Sequence, residues 1–358
     1  MKGFIIGTGV ILGLTLGFIP KLYEAKPRWW KLSAVIFLLI AILLTFVPYV
    51  ASNFATFKFI SQNITNFSGP LYFKIDSINI HQDSLGSNSY EIVISNPNNP
   101  SAKEILLVPS DMINNSFKLR DKMIAEVSYD TQGKKFIFSK VVASNPLLVL
   151  PYVPQLGEQI RIMNLHVPCA WVAVIAYFIS MFNSIQFLRT KKFEYDEISS
   201  SSAFLGSLFA VLATVTGMIW AKINWGSFWN WDPRQTSIFV LLLIYFAYFI
   251  LRQSIENYEI KARLSSVYSI IAFLTVPFLV FIMPRLLEGN HPGSANSPNI
   301  GPILSSQENT LSILQTLGFS LGFLSFTLLF FWLLNIRVRI LKINKLILLR
   351  RKNGGLSS

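Results

Sequence analysis

Six stretches of this chain, at about residues 32–51, 168–188, 202–222, 236–251, 265–284 and 311–336, are each apolar over a length that suits a bilayer crossing. The hydrocarbon core of a membrane takes about 20 mostly apolar helical residues. No backbone group can remain unpaired in lipid, so a spanning segment is a helix or part of a closed barrel. Six long apolar runs therefore commit the chain to an all-α polytopic membrane bundle. The composition agrees: 14% of the residues are charged and the mean hydropathy is +0.48, whereas a soluble domain carries roughly a quarter charged residues. A seventh candidate, residues 3–20, is shorter and rich in glycine. It is expected to be a further span, an uncleaved signal-like segment or a helix lying in the interface.

The basic residues orient this bundle, because Lys and Arg collect at the cytoplasmic ends of spans. Lys21, Lys26, Arg28 and Lys31 precede the first span. Arg189, Lys191 and Lys192 follow the second, Arg252, Lys261 and Arg263 follow the fourth, and a basic tail runs from Arg337 to Lys352. The two short loops on the opposite side hold only Lys222, Arg234 and Arg285. The formal charge of +13 is then a membrane-orienting feature, and no nucleic-acid partner is expected. The single cysteine, Cys169, excludes an internal disulfide or a Cys-rich metal site. It reads as a small helix-packing residue.

Between the first two spans lies a long insert, about residues 52–161, whose composition shifts to Asn, Ser, Lys and Asp. Strands are predicted at 71–80, 90–95, 104–108, 122–129 and 135–142, separated by turn signals such as Asn96-Pro97-Asn98-Asn99-Pro100 and Asp130-Thr131-Gln132-Gly133. The insert is expected to be a small β-rich extracytoplasmic domain, with His81 as one of its solvated residues.

The segment 216–237, which joins the span at 202–222 to that at 236–251, carries the chemistry. It holds four of the chain's eight tryptophans, Trp220, Trp225, Trp229 and Trp231, followed by Asp232 and Arg234. An aromatic belt at the interface accounts for tryptophan as such, but not for WGxxWxWDxRxT. Aromatic faces suit a flat apolar macrocycle. A guanidinium pairs with a carboxylate, and Asp232 could hold Arg234 or accept from an indole N–H. Haem has this character, with an apolar face, two propionates and an iron that takes axial ligands. Imidazole is a standard one. The chain has three histidines. His166, in Asn164-Leu165-His166-Val167-Pro168, and His291, in Gly289-Asn290-His291-Pro292-Gly293, are placed by the topology on the same membrane face as the tryptophans.

The run WGSFWNWDPRQT resembles the tryptophan-rich signature of the WWD haem-handling superfamily. Within it, His166-Val167-Pro168, Thr216-Gly217 and the His291 loop resemble the cytochrome c maturation protein C family, over about residues 161–336. The resemblance implies haem b bound at the outer face of a bacterial cytoplasmic (inner) membrane, between the two histidine loops and the tryptophan loop. It implies delivery to a periplasmic haem chaperone, cytochrome c maturation protein E, alongside other maturation subunits. His166 and His291 would be the axial ligands. Trp220, Trp225, Trp229, Trp231, Asp232 and Arg234 would form a platform for haem and chaperone. The chain departs from the pattern in its long insert and in its extra N-terminal segment. The run Asp232-Pro233-Arg234-Gln235-Thr236 stands between family branches. Parts of the insert, at 107–111, 121–129 and 135–142, faintly resemble the small β-barrel of the chaperone without its haem-attaching histidine. A docking or shielding domain of another origin is the first expectation, and a fused barrel the second.

The domain division expected is 1–51 for the N-terminal membrane segments, 52–161 for the insert, 162–340 for the haem-handling core and 341–358 for a basic tail. The function expected is transfer and not catalysis. A structural docking subunit of a cytochrome assembly complex and a small-molecule permease are the alternatives. A diheme redox enzyme fails on arithmetic, since two bis-histidine haems need four histidines.

Overall fold

The computed structural model describes residues 2–46, 48–82, 88–112, 117–152, 157, 160–296 and 313–354. Its contacts divide the chain into a helical unit, Met1–Ile42 with Arg161–Ser358, and an inserted unit, Leu43–Ile160. In chain order the elements begin with helices α1 (Lys2–Gly17) and α2 (Arg28–Phe46). The insert follows with β1 (Tyr49–Ala51), α3 (Phe54–Asn63), β2 (Ser68–Gln82), β3 (Asn88–Asn96), β4 (Asn99–Pro109), β5 (Lys122–Asp130), β6 (Lys135–Ser144) and β7 (Val149–Pro151). The helical unit resumes with α4 (Ile160–Thr190), α5 (Phe193–Trp225), α6 (Pro233–Ser254), α7 (Tyr258–Pro277), a π-helical turn (Phe278–Ile282), α8 (Met283–Leu286) and α9 (Ile313–Gly354).

Six helical segments have the length and apolarity of membrane spans, one for each predicted stretch: Arg28–Phe46, Arg161–Thr190, Phe193–Trp225, Pro233–Ser254, Tyr258–Leu286 and Gln315–Ile347. The protein is a mostly helical polytopic membrane protein with a β insert. Several helices run past the predicted limits, because hydropathy marks only the apolar middle while the polar turns at each end stay helical. Small residues let the helices of this unit close up, as is usual in membranes. A Cβ on Gly206 of α5 would sit 3.0 Å from Ala176 and Tyr177 of α4. The hydroxyls of Ser180 and Ser184 (α4), Ser199 (α5) and Ser269 (α7) hydrogen-bond across the interfaces at 2.8–3.1 Å. Tyr177 stacks on Tyr245 of α6 at 3.6 Å between centroids. Cys169 packs in this core, 3% exposed, as expected of it.

The seventh candidate is α1, whose 16 residues span about 24 Å at 1.5 Å each, short of the ~30 Å hydrocarbon core. It packs along the spanning helix α9. Gly9, Gly13 and Gly17, four apart, present one smooth face to Ser320, Thr327 and Phe331 in turn, so α1 runs parallel to α9. A Cβ on Gly9 would overlap the carbonyl of Ser320, and one on Gly17 would enter the Phe331 ring. The C-terminal carbonyls of α1 are then capped from outside the helix. The Lys26 ammonium donates to the carbonyls of Gly17, Ile19 and Pro20 at 2.7, 3.2 and 3.0 Å, and the Trp30 indole donates to Leu16 at 2.9 Å. Lys26 is thus a buried cap (2% exposed) as well as an orienting charge, and burial pushes its pKa down to about 8. Gly9→Leu is expected to force α1 off α9 at about 1–3 kcal/mol, the cost of overpacking, read as a lowered Tm in detergent. Gly7→Leu should cost nothing, because no atom lies within 4 Å of a Cβ there.

In the inserted unit five strands close into a barrel in the order β2-β3-β4-β6-β5, with one parallel pair, β4 with β6, in register Leu106↔Phe136. This is a Greek-key barrel of the OB type. Alternate residues point inward, as a two-residue period requires. Phe73, Ile75, Ile92, Ile94, Leu106, Val108, Met123, Val127 and Phe136 are fully buried. Helix α3, which the sequence reading missed, seals the barrel with Phe54 and Phe57, whose rings lie 5.7 and 5.5 Å from Phe136. Asn53 caps it by accepting from the Thr56 N–H at 2.8 Å. Strands β1 and β7 form a separate parallel pair at the two ends of the insert. The side chain of His81 falls outside the described residues. Barrel closure suits both expected origins of the insert, and a fold of this kind hosts many functions.

Candidate functional site

The site lies at one end of the helical unit, where the start of α4, the end of α5, the start of α6 and the segment after α8 converge. His166 was expected in a loop, but it stands in the second turn of α4, which begins at Ile160 and continues through Pro168. Pro168 is the ninth residue of that helix and cannot donate to the carbonyl of Asn164 four residues before it. The His166 imidazole faces α5. Its Nδ1–H donates to the carbonyl of Ala213 at 2.8 Å, with the Thr216 hydroxyl 3.3 Å away. Gly217 makes room for the ring, since a Cβ there would lie 2.9 Å from His166 Cε1. With Nδ1 protonated, Nε2 keeps its lone pair, and among the described residues it has no hydrogen-bond partner.

The tryptophans do not share a single loop. Helix α5 runs on to Trp225 and stops at Gly226, which caps it in the left-handed region at φ 79°. Trp220 and Trp225 are therefore helical residues, and only 226–232 form the connection. The structure sorts the four rings into two pairs. Trp220 and Trp225 meet edge to face at 5.0 Å, and both lie beside the His291 imidazole, at 5.8 and 6.4 Å. Trp229 and Trp231 pair with each other at 5.6 Å and lean on Phe239 of α6. Trp231 is 68% exposed. The connection is braced from within. The Asn230 N–H donates to the Gln235 side-chain oxygen at 2.9 Å, and the Ser227 hydroxyl bonds to Trp229 O and Asn230 Oδ1 at 2.8 and 2.5 Å.

His291 sits in an irregular segment that follows α8. A type of helix widening, the π-turn 278–282, precedes it just before Pro284, a residue that cannot donate to an α-helical ladder. The His291 Nδ1–H bonds to the carbonyl of Pro292 at 3.0 Å, which again leaves Nε2 with no partner among the described residues. Burial first, and then the Arg234 charge, push the His291 pKa down to about 3. The imidazole is therefore neutral at ordinary pH, the form that ligates a metal.

Asp232 does neither of the things expected of it. One carboxylate oxygen accepts from the Arg234 N–H at 2.9 Å and caps α6. The other accepts from the N–H groups of Asn290 and His291 at 2.7 and 3.4 Å. Arg234 bears electrostatically on both histidines. Arg234 in turn feels the charge of Arg285 at the end of α8, a cation that the sequence reading counted for topology and did not assign to the site.

Among the described residues, three buried polar atoms here have no partner: Trp220 Nε1, Asn230 Nδ2 and Arg234 Nε. Buried donors of this kind are costly unless a ligand or water satisfies them. Among the described residues no three His, Cys, Asp or Glu side chains gather as a metal site. Two imidazoles fall short of a bare-metal centre but suffice for a porphyrin, which brings four nitrogens of its own. The residues present thus fit a planar tetrapyrrole with carboxylate arms.

Comparison with known proteins points the same way. The family described as heme exporter protein C matches residues 120–352. A ccmC-like mitochondrial protein of cytochrome c biosynthesis from Marchantia polymorpha is 35% identical over 133 residues, 37% of this chain and 56% of that protein. A counterpart in Arabidopsis thaliana is 32% identical over 41% of this chain and 55% of its own length. Heme exporter protein C of Paracoccus denitrificans is 28% identical over 48% of this chain and 72% of its own. The chain spans little more than half the length of the first two.

Proposed function

The chain belongs to the heme exporter protein C family, and from that premise we propose that it binds haem b at the outer face of a bacterial inner membrane and passes it to a periplasmic haem chaperone during c-type cytochrome maturation. The observation that carries this reading is the pair of imidazoles. His166 and His291 come from segments 125 positions apart in the sequence, each has Nδ1 held by a backbone carbonyl, and each leaves Nε2 without a hydrogen-bond partner among the described residues. That is how metal-ligating histidines are oriented from behind.

In this reading His166 and His291 would hold the haem iron through Nε2. Trp220 and Trp225 shield the His291 side, and their rings exclude water from it. Arg234 and Arg285 supply positive charge for the propionates, with the unpaired Arg234 Nε as a donor. Trp231, exposed in the connection, offers with the half-buried Trp229 an aromatic face to the incoming chaperone. No bond to the chain forms or breaks except iron ligation, so the activity is transfer and not catalysis.

The test is an optical spectrum of the detergent-purified protein, followed by mixing the loaded protein with haem-free chaperone and separating the two. A low-spin Soret band that migrates to the chaperone is the expected result. A protein that takes up no haem even on reconstitution would sink the reading and leave a docking subunit. One variant checks the geometry. Gly217→Ala forces the His166 ring off its carbonyl and is expected to weaken haem binding about tenfold, the low end of the range for losing support behind a ligand. A haem titration measures it.

A further inference from the structure

His291 lies in a segment without helix or strand, so its position has to be fixed by something outside that segment. Its own bond to Pro292 is to the next residue and sets the ring, not the loop. The loop closes on itself through the Ala295 N–H to Leu287 O at 3.0 Å and the Gly289 N–H to Asn296 Oδ1 at 3.1 Å, and among the described residues the hydrogen bonds that tie it to another segment are those to Asp232. A single carboxylate oxygen takes the N–H of Asn290 at 2.7 Å and lies 3.4 Å from that of His291, while its twin caps α6. The carboxylate is buried, 5% exposed, and among the described residues it makes no ion pair. Its charge is met by backbone N–H groups, an arrangement that strengthens each bond. Gly289 permits the approach, because a Cβ there would lie 2.6 Å from Asp232 Oδ2 and 2.9 Å from Pro233 Cδ. One peptide bond away stands Trp231, exposed and held at φ 56°, a left-handed conformation that is strained for a bulky side chain.

We infer that Asp232 is the positioning residue for His291, and that the Trp231–Asp232 peptide couples the exposed aromatic face to iron ligation. A protein that seats against Trp229 and Trp231 and shifts Trp231 also shifts the carboxylate. The N–H groups of 290 and 291 lose their acceptor, and His291 is freed to leave the iron. Relaxation of the Trp231 backbone favours that direction. The release step rests on the proposed function; the positioning step does not.

The experiment is hydrogen exchange by mass spectrometry on the full-length protein in detergent, without haem. Asp232→Asn keeps an oxygen for the α6 cap, a position that Asn fills well, but turns an N–H group toward Asn290 and His291. Gly289→Ala pushes the loop off an intact carboxylate. Both are expected to speed exchange in 287–296 by about tenfold or more and to leave 236–250 unchanged. Trp231→Gly, which holds φ 56° without strain, should slow exchange in 287–296, the opposite direction. Wild-type protection of 287–296 in Asp232→Asn overturns the positioning role, and wild-type protection in Trp231→Gly overturns the coupling. With haem supplied, Asp232→Asn is expected to change from low-spin to high-spin, and added imidazole to restore the low-spin spectrum. An unchanged low-spin spectrum also counts against the inference. A wild-type protein that binds no haem defeats the transfer reading and leaves the exchange result standing.

Discussion

His166→Ala protein supplied with haem is expected to lose the low-spin spectrum and to bind haem at least about 100-fold more weakly, whereas His291→Ala loses about tenfold. These figures bracket the range measured even for residues that only support a ligand. The asymmetry comes from how the two rings are held. His166 is part of a long helix, its ring pinned between the Ala213 carbonyl and Gly217, so its ligation requires almost no further ordering. His291 is carried by a segment without helix or strand, tied to α6 through Asp232, and part of its binding energy is spent in ordering that segment. A haem titration at the Soret band, with the Tm of each variant as a control for folding, reads the difference. If both variants keep the wild-type spectrum and affinity, neither imidazole is on the iron. A reversed order would mean that the loop, not the helix, is the rigid partner.

The largest stability effect is expected far from this site, at the opposite end of the helical unit. Arg252, in the last turn of α6, makes two bonds to Asp196, in the first turn of α5, at 2.6 and 2.9 Å. The Asp196 side chain is 2% exposed and that of Arg252 16%. The acid sits at a helix N-terminus and the base at a helix C-terminus, where each is favoured by the helix dipole. Arg252→Ala strands a buried carboxylate and is expected to cost about 3–5 kcal/mol, seen as a much lower Tm. The double variant Asp196→Asn, Arg252→Met should recover much of that, because it removes both charges together. A single variant as stable as wild type would show that water reaches Asp196 and that the pair is a surface one.

Much of the architecture was legible in the sequence because it follows from local composition. Six apolar runs predict six spans whatever they pack against, since lipid imposes the same demand on each. The strands of the insert were legible for a similar reason, through alternation and turn residues. What escaped was the extension of the helices past their apolar middles, as at Trp225, which is helical although it reads as loop. The ten-residue α3 escaped too, because its apolar face is too short to show a period. The seventh helix was ambiguous by length, and it became intelligible only through Gly9, Gly13 and Gly17 against α9.

The site divides in the same way. Residue types alone made His166, His291, the tryptophans and Arg234 candidates, because few side chains suit a flat metal-bearing ligand. Their division of labour belongs to the tertiary structure. It placed two rings beside His291 and two on the outside, brought Arg285 near Arg234, and gave Asp232 to the backbone of a loop 58 residues away in place of a guanidinium or an indole. Composition and spacing specify which groups a chain owns and what solvent each segment must meet. Which donor a buried carboxylate finally serves depends on which backbone arrives beside it, and that is settled only when distant segments pack.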